Sequence, residues 1–465
     1  MENKSLWNQY TDEQIKALEN INDNYRKCLD KGKTERECVT LTIQMAEEKG
    51  YVNLETLIRN QQEIKPGDKI YAACMKKSIV LFQIGTQSLE NGMNILGAHI
   101  DSPHMDVKQN PLYEDSDCAY LDTHYYGGIK KYQWVTTPLA IHGVVAKKDG
   151  TTVPVVIGED DTDPVLVISD LLIHLSSEQL DKKAAKVVEG ENLDVLVGNR
   201  PIGEGEEVDK VKKYILSILK EKYGMEEADF LSAELEIVPA GKARECGIDR
   251  SMILAYGHDD RICAFTSLFA MLETENPSRT SCCLLVDKEE IGSVGATGMH
   301  SRFFENTLAE ILALMGKVSE LSVKRTLANS TMLSSDVSAA FDALYASVFE
   351  KKNSAYMGRG LVFNKYTGSR GKSGSNDARA EYIAKLRQIL SKHNIQFQMA
   401  ELGKVDAGGG GTIAYIMGNY GMDVIDCGIA LLSMHAPYEV ASKADIYETY
   451  RGYKAFLSDM EYVER

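Results

Sequence analysis

The sequence predicts an α/β sandwich interrupted by a β-rich insertion. Three observations carry this prediction. Helix-like and strand-like patterns alternate in both outer parts of the chain, a hairpin-rich middle stretch breaks the alternation, and 465 residues exceed what one hydrophobic core usually supports. The reading gives a first α/β part over residues 1–105, an insertion over 106–246 and a second α/β part over 247–465.

Residues 11–49 are rich in Glu, Lys, Leu and Ala and lack proline, and Ile15, Leu18, Ile21 and Tyr25 recur at helical spacing. This segment is read as helical. Asn94-Ile-Leu-Gly-Ala-His-Ile100 is a short apolar run that meets polar residues and Pro103, as a buried strand does at the edge of a sheet. In the insertion, Ile141 to Ala146 and Val153 to Ile157 flank Lys148-Asp149-Gly150, a hairpin pattern. The loop Gly203-Glu-Gly-Glu-Glu207 and an amphipathic helix from Val208 to Tyr223 follow. Beyond Gly257 the alternation resumes with a helix from Asp260 to Glu273 and a strand from Cys282 to Val286. A helix from Asp377 to Lys392 and a strand from Ile395 to Met399 repeat it.

Composition excludes some functions. With 44% hydrophobic residues a packed core is expected, and at a net charge of −16 with dispersed Lys and Arg, nucleic acid is not a partner. The polar Met1 to Tyr10 stretch and the lack of a long apolar run predict no membrane association and a cytoplasmic protein. Nine cysteines, an odd number without a Cys-x-x-Cys pair, read as reduced and mostly buried thiols.

Five segments place His or acidic residues at strand ends or helix starts. They are His99-Ile-Asp101, His258-Asp-Asp-Arg261, Asp287-Lys-Glu-Glu-Ile-Gly-Ser293, Ser334-Ser-Asp-Val-Ser338 and Leu432-Ser-Met-His-Ala-Pro437. Singly, each is more simply a helix cap, a turn residue or a satisfied core histidine. Together they supply what two neighbouring divalent cations need: a bridging carboxylate, further N or O ligands on each side, and a free carboxylate to take a proton from water. Asp101 and the pair Glu289-Glu290 suit the supporting roles.

These motifs, in this order and over most of the chain, resemble the aspartyl aminopeptidase family of metallopeptidases. The match runs through Gly-Ala-His-x-Asp-Ser-Pro at 97–103, an Asp opening a helix at 259, Asp-x-Glu-Glu-x-Gly-Ser at 287–293, Ser-x-Asp at 334–336 and Leu-Ser-Met-His at 432–435. The resemblance implies a three-layer zinc-peptidase-like α/β sandwich whose β-rich insertion serves dimerisation. It also implies a metallo-aminopeptidase that hydrolyses the N-terminal residue of peptides, with a preference for acidic residues, using two divalent metal ions per subunit. Zinc is foremost among these, with manganese or cobalt as alternatives. His99, Asp259, Glu290, Asp336 and His435 would bind the metals, Asp259 bridging them, with its neighbour Asp260 the alternative. Glu289 would be the general base and Asp101 would orient His99. Leu171-Leu-Ile-His-Leu175 matches a further family pattern and makes His174 an oxyanion donor or a ligand. By the same resemblance the partners are peptide substrates and copies of the chain, as dimers assembling to a larger particle such as a dodecamer. His174 would then reach the neighbouring subunit's metals.

The chain departs from better-known members in having no His close after Asp336, and in Lys365 to Arg379 and Val405 to Gly411, both read as lining the substrate pocket. Lys365, in the basic loop Lys365 to Lys372, is the candidate contact for an acidic substrate side chain. The run Gly408 to Gly411 lacks the Lys-Ser/Thr of a phosphate-binding loop and reads as backbone that closely approaches another chain or a ligand. His104, His124, His142, His258, His300 and His393 read as structural. Two rival functions stand beside the main one: another two-metal amidohydrolase, such as a dipeptidase or deacylase, and a catalytically silent assembly protein. Loss of the base would mark the latter, and Glu289 is present.

Overall fold

The computed structural model describes residues 4–203, 208–368 and 371–464, so all of the expected loop at 203–207 except Gly203 lies outside the described residues. The described chain forms two compact units. One comprises Met1–Asp101, Ala243–Met434 and Glu439–Arg465, and the other Ser102–Lys242 with His435–Tyr438.

The first unit is built on a nine-stranded sheet in the order Val52–Asn53, Lys69–Cys74, Ser78–Gln83, Thr280–Val286, Met93–His99, Thr331–Ser335, Asp423–Gly428, Leu361–Asn364 and Phe397–Met399. The strands Thr280–Val286, Met93–His99, Thr331–Ser335 and Asp423–Gly428 are mutually parallel, with His99 beside Val286 and Ser334 beside Gly97 in the register. Covered on both faces, they are buried along nearly their whole length. Alternation sends Leu96, Cys283, Leu333 and Ile425 into one apolar layer and Ile95, Cys282, Met332 and Val424 into the other. The first layer packs on the helices Asp12–Lys31, His258–Leu272, Ala380–Lys392 and Lys443–Asp459, the second on Phe303–Leu314 and Glu320–Ala328. The result is a helix–sheet–helix sandwich. A five-stranded sheet, not anticipated from sequence, adds Arg244–Cys246, Met252–Ala255, Glu439–Ser442, Ala430–Leu432 and Ser338–Ala339.

The second unit carries a six-stranded antiparallel sheet in the order Thr152–Ile157, Leu139–Ala146, Ala233–Pro239, His104–Asp115, Cys118–Tyr126 and Val195–Gly198. The helix Lys210–Tyr223 belongs to it.

Several boundaries differ from the sequence reading for local reasons. The N-terminal helical segment is two helices, Asp12–Lys31 and Glu35–Glu48, because Gly32 ends the first and Thr34 caps the second with a capping box. The helix expected from Asp377 starts at Ala380, while the Asp377 carboxylate instead holds the ammonium groups of Lys365 and Lys372 at 2.9 Å each. The unit junctions fall at Asp101/Ser102 and Lys242/Ala243, whereas the reading placed them at 105/106 and 246/247. His104 already pairs with Tyr126 in the second unit's sheet. His435–Tyr438, read as part of the second α/β stretch, belongs to the second unit, where Tyr438 donates its hydroxyl hydrogen to Ala240 O at 3.0 Å. No helix of the described residues is long and apolar enough to cross a membrane.

Candidate metal centre

Three of the expected segments leave the same edge of the parallel strands, where open α/β sheets place their chemistry. His99 closes Met93–His99, Glu289 and Glu290 follow Thr280–Val286, and Asp336 follows Thr331–Ser335. Between Lys288 and Gly292, both at positive φ, Glu289–Ile291 forms a tight 3-10 turn that carries the two carboxylates side by side. The fourth contribution is the start of the helix His258–Leu272. Gly257, at φ 73°, turns the chain into it, and Asp259 and Asp260 keep non-helical backbone angles.

His99 is buried among carboxylates. Its Nδ1 lies 3.0 Å from the Asp101 carbonyl oxygen and 3.2 Å from Asp101 Oδ1, which places the proton on Nδ1. Its Nε2 faces Asp259 Oδ1 at 3.3 Å, and Glu289 Oε2 and Asp336 Oδ1 at 3.9 Å each. Asp101 also accepts the backbone N–H groups of Glu289 at 3.2 Å and Glu290 at 3.1 Å, so one carboxylate braces both the imidazole and the acidic turn. Arg261, buried, donates to Ile100 O at 3.3 Å and fixes the residue between His99 and Asp101.

Ligand atoms of His99, Asp259 and Glu290, of His99, Glu289 and Asp336, and of Asp259, Asp260 and Asp336 each lie within 4.8 Å of one another. Carboxylate oxygens gathered around Nε2 call for positive charge there, carried by a bound cation or by a proton on the ring. The titration directions express the same demand. Burial lowers His99, but the carboxylates of Asp101 and Asp259 outweigh it and hold the ring well above its ordinary value. Burial raises Asp336 well above the carboxylate range, helped by Asp260 and Glu289, and it raises Asp260 likewise. Imidazole nitrogen with several carboxylate oxygens suits a borderline divalent cation such as Zn²⁺.

Comparison with known proteins identifies the family. The profile of the family described as "Aminopeptidase I zinc metalloprotease (M18)" matches residues 28–457. The chain belongs to the M18 family. A relative from Clostridium acetobutylicum is 62% identical over 458 residues, 98% of each chain. Among solved structures, an M18 aminopeptidase from Thermotoga maritima matches with a TM-score of 0.93 at 44% identity, covering 99% of this chain and 100% of that one. Aminopeptidase I from Clostridium acetobutylicum matches with a TM-score of 0.90 at 60% identity over the same shares. This M18 chain is a peptide hydrolase of the aminopeptidase class with the α/β architecture of its relatives.

Of the residues singled out in the sequence, the first unit brings together His99, Asp101, Asp259, Glu289, Glu290 and Asp336. His435 lies in the second unit, its Nδ1 2.8 Å from Gly128 O. His174 is also in the second unit, exposed in the turn Ile173–Leu175. Lys365 sits in the first unit with its ammonium 2.9 Å from Asp377 Oδ1. Of the glycine run, Gly408 closely approaches this chain's own backbone, since a Cβ there would stand 1.9 Å from Leu402 O, whereas a Cβ at Gly410 or Gly411 would meet nothing within 4 Å. Two residues were missed. Asp260, entertained only as a substitute for Asp259, contributes its own oxygen to a potential ligand group. Glu439, a buried acid opening a short strand, accepts the Asp259 N–H at 3.0 Å, and its burial was the signal that sequence alone does not give.

Proposed function

We propose that this M18 chain removes the N-terminal residue of peptides with a water molecule activated at a two-metal centre. The observation that carries this reading is the gathering of buried and half-buried carboxylates, two of the three sets with the buried His99 imidazole, in sets of three whose ligand atoms lie within 4.8 Å of one another. His99, Asp259, Glu290 and Asp336 would hold the metals, and His435 would join them on the strength of its Leu-Ser-Met-His motif alone. Two bound zinc ions would supply Lewis-acid polarisation of the scissile carbonyl and lower the pKa of water. Glu289 takes the proton of the attacking water and returns it to the leaving amine, without a covalent enzyme intermediate. Asp101 orients His99 and fixes the turn that carries Glu289.

Specificity for an acidic N-terminal residue is proposed to come from Lys365, which would exchange Asp377 for the substrate carboxylate. His174 is proposed to act on a neighbouring copy as an oxyanion donor. It stands among exposed Leu171, Leu172, Ile173 and Leu175, the last two each 67–68% exposed, and such a patch favours burial against another subunit. A structural relative from yeast, 19% identical, is a dodecamer, and a homo-oligomer of this kind is proposed here. The nine cysteines are free thiols, which suits the reducing cytoplasm.

Removing metal with a chelator should abolish hydrolysis of peptides bearing a free amino terminus, and zinc should restore it. Cleavage of N-acetylated peptides at the same rate would contradict aminopeptidase action and favour a deacylase.

A further inference from the structure

The turn that carries Asp259 is held from behind by groups that no part of the mechanism above uses. Asp259 stands in the opening turn of His258–Leu272, where backbone N–H groups have no carbonyl of the same helix to bond. Both Asp259 and Glu439 are buried, so a donor left unmet there would be costly. Glu439 Oε2 accepts this N–H at 3.0 Å. The strand Glu439–Ser442 pairs antiparallel with Met252–Ala255, with Glu439 opposite Ala255, so the carboxylate enters from the strand paired with the one that feeds directly into the turn. The preceding residue is fixed as well. His258 Nδ1 lies 2.8 Å from the Tyr25 hydroxyl, which donates to it, and Nε2–H donates to Ile253 O at 3.2 Å.

We infer that Glu439 is a positioning residue of the metal centre: by accepting the Asp259 N–H it fixes the direction of the Asp259 carboxylate and thereby sets the metal affinity of the site. The inference rests on Asp259 being a ligand. A carboxylate is well suited to the task, because an anion at a helix start is favoured by the helix dipole and its bond to N–H is charge-assisted. What matters for position is the acceptor atom at the end of a side chain of this length.

Three variants of the full chain test it, each stripped with a chelator and titrated with Zn²⁺ against a chromophoric competitor. Glu439→Gln keeps the length and an acceptor oxygen and should bind zinc nearly as wild type. Glu439→Asp keeps the charge but withdraws the oxygen by one methylene. It should weaken zinc binding roughly 10- to 100-fold, the usual cost of losing support behind a ligand, and should shift the visible absorption bands of the cobalt-substituted protein. Thermal unfolding of the metal-free proteins separates lost binding from lost folding. If Glu439→Asp does not fold, Glu439→Met, of similar length but without the oxygen, carries the same expectation. A folded Asp or Met variant with wild-type zinc affinity overturns the inference, and so do equal losses in the Gln and Asp variants. Asp259→Ala is the reference. If it keeps full zinc binding, the ligand reading itself fails, whereas loss there with an unaffected Glu439→Asp defeats only the positioning role.

Discussion

Single carboxyls in this chain differ by what faces them. Asp101 faces an imidazole and two backbone N–H groups, and Asp336 faces further acids that call for a cation. Asp445, in the helix Lys443–Asp459, accepts the N–H groups of Gly358 and Gly360 at 2.7 Å each. Burial nevertheless pushes its carboxyl up to about 7, against the lowering effect of those N–H groups. Since an unfolded Asp titrates near ~3.9, the native state alone holds the proton between the two values. Its contribution is therefore fully present below the unfolded value and is lost as pH rises through about 7. The melting temperature should fall between pH 5 and pH 8, and Asp445→Asn should fall less; an identical slope in the variant would contradict this. At this scale the sequence exposed the residues that leave strand ends, because an acid or His after an apolar run is visible in one dimension. It did not expose Glu439, whose partner lies 180 residues away and is met only through strand pairing.

Elements were legible where they are long. Met93–His99 and Thr280–Val286 contain apolar runs and the long helices carry apolar stripes, so these follow from periodicity, whereas Thr331–Ser335 and Asp423–Gly428, interrupted by Ser and Asp, were not read as strands. The five-stranded sheet was not legible, since Ser338–Ala339 and Ala430–Leu432 are too short to carry a pattern. The close contact at the end of Asp423–Gly428 was equally hidden. A Cβ on Gly428 would stand 1.9 Å from Asp336 O and 3.1 Å from Cys263 Sγ, while the Asp336 N–H donates to Cys427 O at 3.2 Å. Gly428→Ala must therefore displace the backbone of a proposed ligand. An ångström-scale shift there should lower turnover by roughly 10²-fold with the circular dichroism spectrum preserved. Near-normal steady-state kinetics would show that Asp336 does not need its present position.

For the whole molecule, a change in pattern was read near residues 105 and 246, the chain divides into two units at Asp101/Ser102 and Lys242/Ala243, and nothing local marks His435–Tyr438 as part of the second unit. Family membership rests on motifs spread along nearly the full chain, which is why the aminopeptidase class could be read before the fold. Assembly is the step that one chain's sequence reaches only by resemblance. If His174 serves a neighbouring copy, His174→Ala should keep its metal yet lose roughly 10²–10³ in rate, the usual cost of one oxyanion donor. Mixing dissociated His174→Ala and Glu289→Gln chains should then recover activity; mixed particles that form without recovery would confine His174 to its own subunit. The claim on which all else depends is that Glu289 moves the proton at a metal-activated water without holding the metal. Glu289→Gln, assayed for turnover and elemental content in the same sample, tests it directly. Two metals per chain are expected, with turnover down by at least about 10²-fold, whereas near-wild-type turnover, or a chain emptied of metal, would contradict it.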